Sequence, residues 1–219
     1  MKIKVVSLQL NAYNVGQSDL GLENALMMID KAALDKPDLV VLPECSFPGY
    51  ILGLYEDIEE QVKKSTAALE LFREKARKYS FYLVVGLVEN IDERIVNTGV
   101  LIGSQGEIVD RAVKSFLWHF DKKWFTSGDS FEVFNTSFGR VGIIVCADGR
   151  QPEISRILSL KGAELIIDLT NLVTSGNQPD KLSNQQCDFM LPTRAIENRV
   201  WMIVANKVGI EANSVVYCG

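Results

Sequence analysis

Short, continuous apolar runs of strand length, separated by stretches with helical spacing, limit this chain to folds whose sheets are covered on their faces. Leu39-Val-Val-Leu42 is one such run, bounded by Pro37 and Pro43; Leu165-Ile-Ile-Asp-Leu169 and Trp201-Met-Ile-Val-Ala205 are two more. Runs of this kind suit buried strands. Residues 2–10 read as the first strand. After it, Leu22, Ala25, Leu26, Ile29 and Ala33 recur at helical spacing, and Ala68, Leu69, Phe72, Ala76 and Tyr79 make the buried stripe of a second helix. Lys63, Lys64, Glu74 and Lys78 face water there, with Glu74 and Lys78 spaced to pair. The pattern then turns to short β runs at 82–87, 98–102 and 108–111, with a turn at Gly103-Ser-Gln-Gly106. Two further runs, 131–135 and 141–145, follow a turn at Gly128-Asp129. Pro152 and Glu153 suit the first turn of a helix, and another helix covers 189–198. Helices between buried strands, with a β-meander in the middle, predict a layered α/β fold with helices outside.

With 219 residues, 47% of them hydrophobic and 23% charged, the chain has the material for a sizeable core. No linker, repeat or low-complexity segment divides it, so residues 1–219 are expected to form a single domain. The formal net charge is -5 and no Lys/Arg block interleaves with aromatics, which argues against a nucleic-acid partner. No apolar run approaches the length of a membrane helix. The opening Met1-Lys-Ile-Lys is soon interrupted by Ser7, Gln9 and Asn11, a strand's pattern rather than a signal peptide's. Cys45, Cys146, Cys187 and Cys218 show no CxxC spacing, and His119 is the one histidine, so no metal site is expected. Free thiols fit a reduced, cytoplasmic setting.

Three reactive side chains stand at or near the ends of strand-like runs. Cys146 ends Val141-Gly-Ile-Ile-Val145, and a glycine-containing turn leads from it toward the helix at Pro152. Backbone N–H groups at that bend and the helix N-terminus would favour a thiolate and hold an oxyanion. The competing reading is a buried cysteine acting as a small hydrophobe. Glu44 follows Val40-Val-Leu-Pro43, where a carboxylate is costly unless paired or used; otherwise it is a solvated loop glutamate. Lys114 follows the run ending at Arg111, and is either a surface lysine or a fixed cation for a developing oxyanion. Cys45 is a rival nucleophile by adjacency, but no strand-to-helix turn presents it, and it reads as packing. A carboxylate, an ammonium and a thiol together make a hydrolytic site that needs neither histidine nor metal.

These segments resemble the Glu-Lys-Cys signature of the nitrilase, or carbon–nitrogen hydrolase, superfamily. The matching residues are Pro43-Glu44 with Pro48-Gly49-Tyr50, then Lys114 with Trp124-Phe-Thr-Ser-Gly-Asp129. Further on come Gly139-Arg-Val-Gly142, Cys146-Ala-Asp-Gly-Arg150, Pro152-Glu153 and Gly162-Ala-Glu-Leu165. Arg194-Ala-Ile-Glu-Asn198 and Ala205-Asn206 complete an ordered set that runs the length of the chain. The resemblance implies a four-layer α-β-β-α sandwich, a thioester intermediate, no cofactor and frequent homodimers. It implies Glu44 as general base, Lys114 as oxyanion stabiliser and Cys146 as nucleophile. Asp148, Arg150 and Glu153 would frame the nucleophile turn, Arg150 and Glu153 through salt bridges, and Arg194 and Glu197 would pair on one helix face. Three departures stand out. Phe116 occupies a position where members often carry histidine, which makes the displaced His119 a local hydrogen-bonding residue. Asp121 stands where many members have a second glutamate, and is either a solvated turn carboxylate or the group that orients Lys114 or the substrate. Tyr217-Cys-Gly219 stops where members usually continue through further strands.

The reading that follows is a hydrolase of a small amide or N-carbamoyl compound, releasing ammonia or amine. The Cys146-Ala-Asp148 context resembles amidase and carbamoyl branches more than nitrilases, although a nitrile substrate and a non-catalytic binding or scaffold protein are the alternatives. An isochorismatase-like hydrolase would need an Asp on the first strand, and none precedes Asp19. Loops bearing Tyr50, Trp118, Asn171 and Trp201 are expected to shape the pocket, with Ala147 next to the nucleophile.

Overall fold

A computed structural model of the chain describes residues 2–52, 58–174 and 182–219. In chain order its elements begin with β1 (Val5–Ser7), β2 (Leu10–Asn11), α1 (Ser18–Ala33), β3 (Leu39–Val41) and α2 (Ile58–Tyr79). The meander follows as β4 (Tyr82–Ile91), β5 (Arg94–Ile102) and β6 (Ile108–Val113), then β7 (Val133–Thr136) and β8 (Gly139–Val145). The remainder is α3 (Pro152–Leu160), β9 (Leu165–Leu169), α4 (Leu191–Asn198), β10 (Trp201–Ala205), β11 (Lys207–Glu211) and β12 (Val215–Cys218). One sheet runs β1-β3-β4-β5-β6, a second β10-β9-β8-β7, and a small third β12-β11-β2.

Side-chain alternation along the buried strands builds the layers. Val40, Leu83, Val85 and Val100 point to one face of the first sheet and pack beneath Ala25 and Ile29 of α1 and Leu69 and Phe72 of α2. Leu39, Val41, Val84 and Leu101 point to the other face and meet Val141, Ile143, Val145, Leu165 and Ile167 of the second sheet. Ile144 and Ile166 then face Ile154 and Leu158 of α3. Every second residue of a central strand thus enters a different core, which is why these runs carry no polar alternation. Each fully buried Val, Leu or Ile contributes about 1.5–3 kcal/mol against its conformational entropy. The result is the four-layer α-β-β-α sandwich that was expected. No described helix is long and apolar enough to cross a membrane.

Four local expectations change. The run 2–10 is two strands, not one: β1 pairs with β3, Leu8 donates to Val41 O at 2.8 Å, and the chain then leaves for the third sheet, where Leu10 registers with Lys207. Leu8 and Leu10 still share the core under the helices, so the apolar pattern is continuous while the hydrogen-bond partner changes. β4 and β5 extend into a tight hairpin whose central residues, Asp92 and Glu93, take φ of 51° and 62°. The helix expected over 189–198 opens with a π-helical turn at Gln186–Met190 before α4. On α2 the ion pairs are Lys64–Glu60, Arg73–Glu70 and Lys75–Asp30, while Lys78 lies 4.7 Å from the Tyr79 ring centroid rather than on Glu74.

Gly86 of β4 shows how closely the loop after β3 is seated. A Cβ there would lie 2.4 Å from Pro43 O and 2.6 Å from Glu44 Cα, both backbone atoms that cannot rotate away. Gly86→Ala should therefore cost about 1–3 kcal/mol of stability through overpacking and lower turnover by displacing Glu44. Urea unfolding together with turnover checks this; wild-type values for both would mean that the loop yields freely.

Candidate active site

Glu44 enters the interior because the chain after β3 stays alongside β4: Leu42 donates to Val84 O and Ser46 to Gly86 O, each at 2.8 Å. Its carboxylate is 0% exposed. Oε1 accepts from Asn97 Nδ2 and from Lys114 Nζ, both at 2.7 Å. Oε2 is buried and has no hydrogen-bond partner among the described residues. Asn171, beyond the end of β9, donates from Nδ2 to Glu44 O at 3.0 Å and so ties the second sheet to the first.

Lys114 follows β6, and its backbone N–H donates to Asn97 O at 2.8 Å. Its side chain is 0% exposed and lies 2.7 Å from Glu44 Oε1 and 2.7 Å from Asp121 Oδ2. Burial alone would depress the ammonium's pKa, but Glu44, Cys146 and Asp121 around it hold it well above the usual lysine range. The lysine is therefore a fixed cation. Asp121 is equally buried; its Oδ1 accepts from Tyr50 Oη at 2.8 Å and its Oδ2 from Trp118 N at 2.9 Å. Asp121 is thus no solvated turn carboxylate: it is buried against the Lys114 ammonium.

Cys146 sits directly after β8 at φ 53°, on a tight 3-10 turn that leads into α3. The turn is held from beneath. Cys146 N donates to Asp168 Oδ1 at 2.8 Å, Val145 N to Asp148 Oδ2 at 3.0 Å, and Gln186 Nε2 to Cys146 O at 2.6 Å. Ala147, next in the turn, is 1% exposed. Local N–H groups were expected to favour a thiolate, but burial and then the Glu44 carboxylate push the thiol well above its usual range; Lys114 and the Asn171 backbone N–H act the other way without offsetting them. The resting group is a thiol. Cys45 is buried at φ 41°, pushed up mainly by burial and then by Glu44, and lies in the apolar cluster with Tyr50 and Tyr217.

The structure also corrects several assignments. Trp201 is 81% exposed and registers with Leu165 at the start of β9, the end of the strand opposite Asn171. It forms no part of the site. Arg150 donates to Gln186 Oε1 at 2.8 Å and lies 5.5 Å from the Trp118 ring centroid, whereas Glu153 is exposed on α3, so neither makes the expected salt bridge among the described residues. Arg194 and Glu197 do pair, at 3.1 Å. His119 is exposed and packs its ring against Trp118 and Phe120 rather than acting through hydrogen bonds among the described residues. Asn97, Asp168 and Gln186 were not singled out from the sequence. Asp168 did carry a signal: an ionisable residue inside Leu165-Ile-Ile-Asp-Leu169 must be paired or used.

The sequence matches the family model described as carbon-nitrogen hydrolase over residues 4–219. It is 31% identical to a protein named nitrilase from Pyrococcus abyssi, across 95% of this chain and 76% of that one. It is 30% identical to an (R)-stereoselective amidase from Pseudomonas sp., across 100% of this chain and 75% of that one. An amidase structure from Nesterenkonia sp. AN1 superposes with a TM-score of 0.86 at 24% identity, covering 98% of this chain and 82% of that one.

Asp148 offers a test of how the turn at Cys146 is held. Burial outweighs its hydrogen bonds from Phe116, Val145 and Ser115 and raises its pKa from 3.8 to about 6. A carboxyl whose folded pKa is raised stabilises the fold below its unfolded pKa, and that contribution is lost as pH rises through the folded value. The window here runs from about pH 4 to about pH 6. Asp148→Asn removes the titration, so its Tm relative to wild type should climb across that window. A difference that stays flat with pH would show that Asp148 does not titrate there.

Proposed function

The chain belongs to the carbon–nitrogen hydrolase family, and we propose that it is a cysteine-dependent hydrolase of non-peptide C–N bonds in a small amide or N-carbamoyl compound. The observation that carries this reading is the Lys114 ammonium, held 2.7 Å from both Glu44 and Asp121 with every partner at 0% exposure. A buried charge cluster of this kind is costly to desolvate and adds little net stability, so its value lies in fixing groups in place. The likeness to an amidase across the full chain supports an amide substrate.

Because Cys146 rests as a thiol, its proton must leave as it attacks. Glu44 takes that proton; its unpartnered Oε2 is the free oxygen of the carboxylate. The sulfur bonds to the carbonyl carbon, and Lys114 with the Ala147 N–H holds the oxygen as it becomes negative. Glu44 returns the proton to the leaving nitrogen, the C–N bond breaks, and a thioester remains. Water, deprotonated by Glu44, then releases the acid and restores the thiol. Asp121, itself fixed by Tyr50 Oη and Trp118 N, aims the ammonium throughout.

A panel of small amides, carbamoyl compounds and nitriles, read by ammonia release, tests the reading. Turnover is expected with an amide or carbamoyl compound. Cys146→Ser should keep the wild-type Tm and lose turnover by about 10³-fold or more, since a carboxylate is a poor base for a serine hydroxyl. Mass spectrometry of a trapped sample should find the acyl group on the Cys146 peptide; an acyl group on Cys45 would overturn the assignment.

The reading includes a homo-oligomer. Ile196 of α4 and Trp201 of β10 are 78% and 81% exposed, and both line a groove with Leu191 and Met202. Apolar surface of this kind is covered in assemblies. Sedimentation of wild type beside Trp201→Glu should show the variant shifted toward monomer; a monomeric wild type would end this part of the reading.

A further inference from the structure

We propose that Lys207 and Glu211, a buried ion pair on β11, position the reacting groups by clamping both ends of the loop that carries Glu44 and Tyr50. Four residues apart on a strand, the two side chains share a face. They are 4% and 0% exposed and 3.8 Å apart. Lys207 Nζ donates to Cys45 O at 2.9 Å, one residue beyond Glu44. Glu211 Oε1 accepts from Tyr50 N and Ile51 N, each at 2.8 Å, and Oε2 accepts from Tyr217 Oη at 2.7 Å. The loop lies close against the carboxylate: a Cβ on Gly49 would fall 3.2 Å from Glu211 Oε1, at a φ of 148°.

From each end of the clamp the path to the chemistry is short. At one end the held carbonyl belongs to Cys45, a residue at φ 41° that directly follows the base. At the other, Tyr50 Oη donates to Asp121 Oδ1 at 2.8 Å, and Asp121 Oδ2 lies 2.7 Å from Lys114 Nζ. Lys207 and Glu211 touch none of the reacting atoms and are positioning residues. Their charges bind one carbonyl and two N–H groups of an irregular segment, which would otherwise be buried without partners. An apolar pair could fill the space but could not hold that backbone.

The proposal rests on Glu44, Lys114 and Cys146 being the reacting groups, and the test separates the two claims. The double variant Lys207→Met/Glu211→Gln removes both charges and leaves neither unpaired. Two rates are measured: ammonia release from propionamide, and alkylation of Cys146 by iodoacetamide, followed by peptide mass spectrometry. In the second reaction sulfur displaces iodide and the thiol proton passes to Glu44, so no knowledge of the substrate is needed. In folded double variant, kcat and the alkylation rate should fall about 10- to 100-fold, with KM within about threefold. Wild-type rates in a folded double variant would overturn the clamp. If the double variant does not fold, Tyr217→Phe takes its place; it keeps both charges and removes one hydrogen bond to Glu211. Both rates should then drop about two- to fivefold at near wild-type Tm, and unchanged rates would overturn the clamp. Glu44→Gln is the control for the underlying reading. If it releases ammonia from propionamide as fast as wild type, the assignment of the base fails and the clamp fails with it, by a result at Glu44 rather than on β11.

Discussion

The site depends on one ammonium taken fully out of water. Lys114 has no solvent to neutralise it, so Glu44 and Asp121 must do so, and each must itself be held by something else. Asn97 holds Glu44; Tyr50 and Trp118 hold Asp121. Each added partner is polar and buried and must be satisfied in turn, until the network reaches β11 and the turn at Cys146. This gives the molecule an unusually polar centre between layers built almost wholly of Val, Leu and Ile.

The same burial decides the state of Cys146. An exposed thiol at a helix N-terminus would lose its proton readily, but enclosure and a neighbouring carboxylate work against that. A protonated sulfur is a weaker nucleophile and also less open to stray oxidants.

Much of this was legible in the chain. β9 and β10 agree with the apolar runs residue for residue; β9 is enclosed on both faces and so leaves a compact mark, while β10 keeps the apolar run although it lies at the sheet edge. Glu44, Lys114 and Cys146 stood out by their places at strand ends and by the family signature around them. The break between β1 and β2 was not legible: Leu8 and Leu10 enter one core, and only the choice of hydrogen-bond partner, two hundred residues away in sequence for β2, separates the strands. Lys207 and Glu211 were missed because two opposite charges on a short strand look like a solvated edge. Trp201 was misplaced because a large aromatic suggests a pocket wall, and nothing local distinguishes an inward ring from an outward one. The protonated Cys146 depends on groups brought from another sheet, which no local rule sees.

Glu44 and Lys114 belong to one sheet, and Cys146 and Asn171 to the other, with Asn171 Nδ2 bonded to Glu44 O across the gap. Neither sheet alone brings the Cys146 thiol together with the Glu44 carboxylate and the Lys114 ammonium. A nascent or partly unfolded chain in which the sheets have not docked thus holds an ordinary cysteine and an ordinary glutamate, with no means of joining them. The grouping of thiol, carboxylate and ammonium arises in the same event that buries the central apolar layer, so it cannot form before the sheets have docked.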